Sequence, residues 1–399
     1  MKWINKGKQF SEIAGHFRKK NKLRIYGGGE CGKLFFNEVL SPFFYSAIDC
    51  FIDCDTEKQK SLMFGYPVID PSEIFDHHDE KHIIVVAMSG EKAERLCQRL
   101  ERAGYVRGWD FFSFDDSIWS ELNGKFLSLF ALYSMNKLYV ASRCVVPDTR
   151  CNLKCRDCLN FSPYVRQHAT RELEDVCRDA DLYFKWVDYT ERYQISGGEP
   201  LLYPYVKDLI DYIGGRYRIQ IGAYETIMNG TVIPSDAICE IIKKNNMTVY
   251  LDNYTGSISK HLDKRMEIID KLDRYGIKWI DNTVDKWFSL DILHTDNSSM
   301  AESQLIEYFD NCNNPWHCFE NGKMYSCNFA RFAMKAGLYE DSKNDHFDFR
   351  ELSLEKRGEL LEFLLGYTDK GYVDFCKKCA GWGSINKIIV PVAVQMDGE

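Results

Sequence analysis

Three cysteines within eight residues constrain this chain more than any other feature. Cys151, Cys155 and Cys158 are separated by three and then two residues, so one short loop carries three thiols. Three thiolates on one loop can bind three irons of a four-iron cubane and leave the fourth iron open. A zinc site is the alternative, but it requires a fourth ligand close by. The nearest histidine, His168, lies ten residues beyond Cys158. The spacing therefore favours an iron-sulfur cluster.

The composition narrows the class of protein further. The 399 residues carry a formal net charge of −8, which argues against general nucleic-acid binding because the phosphate backbone requires a basic surface. We find no signal peptide and no apolar run of the roughly 18 residues that a membrane span requires, so we expect a cytoplasmic protein without a membrane partner. Because a reducing cytosol disfavours disulfides, we expect metal or catalytic use for the clustered ones among the 15 cysteines.

Alternating strand-like and helix-like segments predict an α/β fold of several domains. The N-terminal array and a longer central array both show this alternation, and the C-terminal part loses it while carrying five cysteines. We expect a parallel-sheet unit at 1–116, a helical connector at 117–137, in which Ile118 and Leu122 begin an apolar stripe, a central domain at 138–300, and a small metal-organised module at 301–399.

A second motif, Ile195-Ser196-Gly197-Gly198-Glu199-Pro200, follows the cysteine loop by about forty residues at the predicted end of the next strand. Two glycines let the backbone approach a ligand closely, and Glu199 can accept hydrogen bonds from an ammonium group. Alone, such a motif is typical of a plain strand-to-helix turn. Together the two motifs resemble the core of the radical S-adenosylmethionine (SAM) superfamily, over about 140–291.

The resemblance implies a partial (β/α)6 barrel whose cofactors are a 4Fe-4S cluster and SAM. It implies that Cys151, Cys155 and Cys158 bind the cluster and that Gly197, Gly198 and Glu199 bind the methionine amino group. A reduced cluster would pass one electron into the SAM sulfonium and yield a 5'-deoxyadenosyl radical.

Some positions depart from that pattern or match it loosely. The family usually carries an aromatic residue before the third cysteine, near the adenine, whereas Asp157 stands here and Phe161 is a candidate substitute. The resemblance also places Asn229 and Asn253 near the ribose or the methionine carboxylate, although ordinary turn residues are the other interpretation.

The C-terminal cysteines predict a second metal site. Their spacing resembles the auxiliary-cluster modules called SPASM and twitch, with the shorter twitch form fitting better, and a structural zinc site is the alternative. One thiol is left over: either Cys312 or Cys318 is a ligand, and a spare Cys318 is either a buried apolar residue or a hydrogen-atom donor to a substrate radical. The candidate ligands are Cys312, Cys318, Cys327, Cys376 and Cys379.

The N-terminal array contains a glycine-rich fingerprint. Gly27, Gly29 and Gly32 follow a predicted strand and precede a helix, and Asp53 ends the next strand, where an acid commonly binds a ribose hydroxyl. Residues 20–115 resemble the Rossmann-like domains fused to sugar-modifying enzymes, but the array is short for a dinucleotide. We expect it to bind a mononucleotide, such as part of an activated sugar, or only to dock a partner.

These features lead to three functional hypotheses. The first is a radical SAM oxidoreductase or epimerase that abstracts hydrogen from a carbohydrate or nucleotide-linked sugar, reduced by a flavodoxin or ferredoxin. The second is a radical SAM peptide or protein maturase, and the third is a non-enzymatic iron-sulfur sensor or scaffold. By position alone, the polar candidates for proton transfer are Tyr224, Glu225 and Arg331.

Overall fold

The computed structural model describes residues 10–76, 80–113, 126–258, 261–312, 314–366 and 370–396. The chain forms two compact units, Lys2–Ala141 and Ser142–Glu399, here called the N-terminal and C-terminal units. Each unit contains its own sheet, and the division falls within strand β7.

The N-terminal unit is built on a six-stranded sheet in the order β3-β4-β2-β1-β5-β6. The described strands of this sheet pair in parallel, except that the short β3 pairs antiparallel with β4. Strand β5 reads His-Ile-Ile-Val-Val and is buried from its second residue, as expected for a parallel strand covered on both faces. Its strands are β1 Lys22–Tyr26, β2 Ile48–Ile52, β3 Leu62–Met63, β4 Tyr66–Ile69, β5 His82–Val86 and β6 Phe111–Ser113.

The helices of this unit cover the sheet with apolar faces. In α4, Ala93, Leu96, Cys97 and Leu100 are buried at the spacing of one helix face. The beginning of the predicted connector, including Ile118 and Leu122, lies outside the described residues. The helices are α1 Phe10–Lys19, α2 Glu30–Phe35, α3 Ser72–Asp76, α4 Gly90–Arg102 and α5 Ser128–Met135, with a π-helical turn at Phe36–Leu40.

The C-terminal unit is built on an eight-stranded sheet in the order β11-β10-β9-β8-β7-β13-β14-β15. Strands β7 to β11 are neighbours in chain order, each followed by a helix until β11, as in a β/α array. A sixth strand does not extend this row, because β12 pairs antiparallel with β16 instead. The strands are β7 Tyr139–Val145, β8 Tyr189–Ile195, β9 Ile221–Met228, β10 Thr248–Asp252, β11 Trp279–Asn282, β12 Lys286–Phe288, β13 Cys318–Glu320, β14 Lys323–Tyr325, β15 His346–Asp348 and β16 Ile389–Pro391.

The other edge of this sheet belongs to the C-terminal module. Strand β13 meets β7 in parallel at the pair Cys318 and Cys144, and β14 and β15 continue antiparallel. Helix α11 packs its buried Phe329 and Phe332 into the same core as Phe375. The helices of the unit are α6 Leu173–Trp186, α7 Val206–Tyr217, α8 Asp236–Lys244, α9 His261–Arg274, α10 Glu302–Asn311, α11 Asn328–Lys335 and α12 Arg357–Leu365.

Mostly parallel sheets with intervening helices confirm the predicted α/β class. All the predicted domain boundaries stay predictions. Within the described ranges, no helix is long and apolar enough to cross a membrane.

Candidate active site

A cavity of about 290 Å³ lies at the carboxyl ends of β7 to β11. Ligands bind at this edge of open parallel sheets because successive strand ends and their loops converge there. The cysteine loop follows β7, the glycine turn follows β8, and the ends of β9, β10 and β11 add single polar side chains. The lining residues from these strand ends include Cys151, Cys155, Cys158, Gly198, Asn229, Asp252 and Asn282.

All three cysteines of the loop line this cavity. Burial, with a smaller contribution from the charges of neighbouring loop thiols, raises the pKa of the Cys151 and Cys155 thiols to about 12, so the three thiols lie close together. Among the described residues, no group of three His, Cys, Asp or Glu side chains is placed to hold one metal ion. In a cubane each thiolate binds a different iron, so three thiols that line one cavity fit the donor set of such a cluster.

Hydrogen-bond donors already point at two of these sulfurs. The Leu153 backbone N–H donates to Cys151 Sγ at 3.4 Å, and Asn229 Nδ2 reaches the same sulfur at 3.6 Å. Gln395 Nε2 donates to Cys155 Sγ at 3.2 Å. Donors of this kind stabilise thiolate rather than thiol, which suits metal ligands.

The glycine turn packs directly against the segment that precedes Cys151. The Gly198 N–H donates to Asp148 O at 3.1 Å, and the Glu199 N–H donates to Arg150 O at 2.8 Å. A Cβ on Gly198 would overlap Arg150 O and lie 2.6 Å from Thr149 O. Glycine is therefore required here by the approach of another backbone segment, and the turn holds the cysteine loop in place.

Glu199 is buried and its carboxylate faces the next strand. Its two oxygens accept from the Leu201 N–H at 3.1 Å and from the Asn229 N–H at 2.8 Å. Burial raises the pKa of this carboxyl to about 7, although both bonds act in the opposite direction. Gly198 lines the cavity, whereas Gly197 and Glu199 are not among its described lining residues. The predicted contact of Glu199 with an amino group therefore stays a prediction.

A three-thiol loop and a Gly-Gly-Glu-Pro turn, on successive parallel strands, thus meet at one cavity. The structure therefore brings both motifs of the predicted radical SAM core to one cavity.

Comparisons with known proteins give only distant similarities. No protein-family model and no curated protein sequence matches the chain. Among solved structures it resembles Streptococcus suis SuiB bound to precursor peptide SuiA, at 20% identity over 54% of this chain and 47% of that chain, with a TM-score of 0.32. It thus spans about half of SuiB.

Two other solved structures are shorter chains with a bound ligand. Native anSMEcpe with bound AdoMet matches at 12% identity over 60% of this chain and 84% of that chain, with a TM-score of 0.39. BtrN in complex with AdoMet and 2-DOIA matches at 14% identity over 65% and 96%, with a TM-score of 0.36.

The two predicted asparagines of the radical SAM core differ in position. Asn229 lines the cavity, bonds Asn152 Oδ1 at 3.0 Å and accepts from Thr231. Asn253 is not among the described lining residues; it bonds Thr283 and Thr255 as a turn residue does. Of these two asparagines, Asn229 is therefore the one placed to contact a ligand in this cavity.

Asp157 and Phe161 face a second, smaller cavity of about 150 Å³, which Cys158 also lines. Asp157 accepts a hydrogen bond from Ser289 Oγ at 2.5 Å. Phe161 is buried with a φ of 54°, in the left-handed region that few non-glycine residues adopt. Phe161 therefore stands beside the third cysteine but is absent from the described lining of the larger cavity.

Sequence reasoning missed Asp252, which ends β10 and faces the cavity. It accepts hydrogen bonds from Tyr254 OH and Asn282 Nδ2, each at 2.5 Å, and burial raises its pKa to about 6. The signal was present, because a carboxylate at the end of a predicted parallel strand points to the functional edge. Three indoles of the lining, Trp287, Trp316 and Trp382, gave no comparable signal.

The C-terminal cysteines separate into four and one. Burial raises the pKa of the Cys379 thiol, and the charges of Cys327 and Cys312 raise it as well. Burial also raises the pKa of Tyr308, to which the charges of Cys379, Cys312 and Cys376 contribute, so these four thiols are neighbours. Cys318 instead pairs with Cys144 across two strands. The structure thus groups Cys312 with the other three. Cys318 is buried and absent from the described cavity lining, whereas Cys144 lines it.

In the N-terminal unit, the protein's own Asp53 carboxylate binds the glycine turn. Asp53 Oδ2 accepts from the Gly28 N–H and from Lys58 Nζ, both at 2.8 Å, while Asp49 pairs with Arg24. A Cβ on Gly32 would overlap Gly27 O, and one on Gly29 would meet nothing within 4 Å. The roles of Gly27, Gly29, Gly32 and Asp53 in nucleotide binding stay predictions.

The three polar candidates for proton transfer are engaged elsewhere. The buried Tyr224 OH donates to Ile210 O at 3.2 Å, and Arg331 pairs with the buried Glu320 at 2.8 Å. Glu225 forms a two-point pair with Arg192 at 3.1 and 3.0 Å. None of the three is among the described lining residues.

Proposed function

We propose that this protein is a radical SAM enzyme whose 4Fe-4S cluster is held by Cys151, Cys155 and Cys158. The observation that carries the proposal is the convergence of all three thiols on the cavity that the Gly198 turn also lines. When bound, the reduced cluster supplies the electron that cleaves SAM and releases the 5'-deoxyadenosyl radical.

The chain's own residues hold the reacting groups in place. The turn at Gly198 fixes the backbone that leads into Cys151, and Glu199 ties this turn to β9 through the Asn229 N–H. The Asn229 side chain then faces both the cavity and Cys151. Three strand ends are thus joined by hydrogen bonds, which pre-organises the site for ligand binding.

We propose a carbohydrate as the substrate, oxidised or epimerised at an unactivated carbon. Gln194, Ser196, Asn314 and Asn328 offer neutral donors and acceptors, and three indoles offer flat apolar surfaces; both suit hydroxyl groups and C–H faces of a sugar. Among the described lining residues, Asp252 is the only Asp, Glu, Lys, Arg or His. A nucleotide-linked sugar would therefore place its diphosphate outside this cavity, away from uncompensated negative charge.

A peptide is the second candidate substrate, because the same amide side chains can pair with peptide N–H and C=O groups. This alternative would make the protein a maturase. The two substrate classes require different binding surfaces: a sugar stacks on one indole, whereas a peptide requires an extended groove.

For the C-terminal module we propose a second, closed iron-sulfur cluster on Cys312, Cys327, Cys376 and Cys379. Two donors already face these sulfurs: Asn314 Nδ2 lies 3.4 Å from Cys327 Sγ and the Gly381 N–H lies 3.3 Å from Cys379 Sγ. Asn314 also lines the main cavity, so the module contacts the substrate space. An electron could pass from a substrate radical to this cluster, and a flavodoxin or ferredoxin would reduce the first one.

The deciding experiment measures 5'-deoxyadenosine after anaerobic reconstitution with iron and sulfide, dithionite and SAM. We expect formation by the wild type and loss in the Cys151→Ala, Cys155→Ala, Cys158→Ala variant, while Cys54→Ala, at an exposed thiol, serves as the matched control. Unphosphorylated glycosides and peptides are then added separately. Iron-loaded wild type that forms no 5'-deoxyadenosine under any of these conditions would overturn the proposal.

A further inference from the structure

The last described residues of the chain form a β-bridge with the cysteine loop. The Arg156 N–H donates to Val394 O at 2.8 Å, and the Met396 N–H donates to Lys154 O at 2.9 Å. These two bonds flank an antiparallel bridge between Cys155 and Gln395. Residues 392–396, here called the tail segment, therefore pair with the loop at this one bridge, although about 240 residues separate them in the chain.

The Gln395 side chain folds back onto the same loop. Its Oε1 accepts from the Lys154 N–H at 2.8 Å, and its Nε2 donates to Cys155 Sγ at 3.2 Å and to Ala393 O at 2.7 Å. A backbone N–H can only donate and a backbone carbonyl can only accept, so these two partners fix which end of the amide faces the sulfur. The N–H group must point at Cys155.

Packing holds the tail segment in this position. Val392 and Ala393 are buried in one cluster with Cys155, and Trp287 and Tyr254 pack against it. Ala393 has a φ of 53°, a left-handed conformation that turns the chain toward the loop. Ser257 Oγ donates to Val392 O, and β16 just upstream pairs with β12. Contacts on several sides thus fix the segment against the loop.

We propose that Gln395 is a positioning residue that sets the reduction potential of the cluster through its N–H···S bond to Cys155. This inference rests on the proposed function, since it requires a cluster on that thiolate. A donor at a ligating sulfur stabilises the reduced cluster, which carries one more negative charge, so it raises the potential. Gln395 makes the cluster easier to reduce before SAM is cleaved.

The test is the midpoint potential of the reconstituted protein, followed by electron paramagnetic resonance. The signal to follow is the one that changes when SAM is added, because only the three-cysteine cluster has an open iron for it. We expect Gln395→Met, similar in length but without a donor, to shift the potential negative. A tenfold change in the reduction equilibrium corresponds to about 59 mV for one electron.

The matched control is Ser257→Ala, which removes an anchor of the tail segment without touching a bond to sulfur. We expect it to keep the wild-type potential. An unchanged potential in an iron-loaded Gln395→Met variant overturns the inference, and so does an equal shift in Ser257→Ala, since tail position would then be the cause. Failure of the wild type to bind an open-iron cluster is a different result and overturns the proposed function itself.

Discussion

Two glycine-rich turns, one in each unit, follow parallel strands and look alike in sequence. Gly27–Gly32 follows β1, and Gly197–Glu199 follows β8. In both, a glycine lies where a Cβ would overlap a carbonyl oxygen, and a carboxylate accepts backbone N–H groups. The surroundings differ: the first turn bonds to Asp53, whose other partner is Lys58, whereas the second packs against a loop with three thiols.

This difference shows that a glycine-rich turn does not by itself indicate a ligand site. In both turns the glycines are explained first by close approach of the protein's own backbone. The pKa values of the two carboxyl groups are shifted in opposite directions. Burial raises the pKa of Glu199 to about 7. Burial acts in the same direction on Asp53, but hydrogen bonds from Lys58 and two backbone N–H groups outweigh it and lower the pKa. A ligand role is therefore supported by neighbouring chemistry, such as thiols, more than by the glycines themselves.

The largest effect is expected at Gly198. Gly198→Ala would push a methyl group into the backbone of Thr149 and Arg150, directly before Cys151. We expect a loss of more than about 3 kcal/mol in the free energy of unfolding, because two backbone segments must separate. Formation of 5'-deoxyadenosine should fall at least about tenfold with the loop displaced. Urea unfolding and the product assay measure the two effects.

The control for this variant is Gly215→Ala. Gly215 lies within α7 and a Cβ there meets nothing within 4 Å, so alanine should stabilise the helix by about 0.5–1 kcal/mol. Equal stability of Gly198→Ala and Gly215→Ala would show that the β8 turn tolerates a side chain, and the comparison between the two turns would fail.

The second effect is the pH dependence at Glu199. Because its folded pKa of about 7 lies above the usual glutamate value of 4.5, its contribution to stability is present at low pH and is lost as the pH rises through 7. Between pH 5 and 8, the metal-free wild type should lose roughly 2–3 kcal/mol more than Glu199→Gln. Urea unfolding at both pH values measures this, and equal slopes would contradict burial as the cause.

The sequence predicted the two turns, the cysteine loop and the α/β class because each depends on residues close in the chain. It did not predict what joins them. Gln395 reaches Cys155 across about 240 residues, and Asp252 reaches the cavity only because β10 lies beside β9. The proposal of Cys312 rather than Cys318 as a ligand also required the pairing of β13 with β7, a contact between distant segments.

The sequence also did not predict that a charged side chain is buried in the C-terminal unit. Arg143 is fully buried on β7, with its guanidinium carbon 4.2 Å from the ring centre of Tyr183 and 5.0 Å from that of Phe319. An arginine in a strand predicts an exposed position, because charged side chains are seldom fully buried. Cation–π contacts with rings from α6 and β13 offset part of the cost, and no local pattern indicates such a cage.

The third effect is a loss of stability on substitution in the turn that follows β1. Gly32→Ala would overlap Gly27 O and should destabilise the N-terminal unit by about 2 kcal/mol, less than Gly198→Ala because the neighbouring glycines can adjust. Gly29→Ala, where a Cβ meets nothing within 4 Å, should be neutral. Thermal unfolding of the two variants tests the pair. A stable Gly32→Ala would mean that the two turns do not share a steric cause.

The smallest effect is expected at Asp53, where the comparison predicts the opposite pH dependence from Glu199. Asp53→Asn removes the pair with Lys58, whose side chain is 32% exposed, so solvent screening limits the cost to below about 1 kcal/mol near pH 7. Because the folded pKa of Asp53 lies below the usual aspartate value of 3.8, this stability is present above that pH and is lost as the pH falls. Urea unfolding at pH 7 and pH 3 should therefore show the difference from wild type shrinking in acid. A difference that instead grows in acid would mean that Asp53 is held as a neutral carboxyl, like Glu199, and that the two turns do not differ electrostatically.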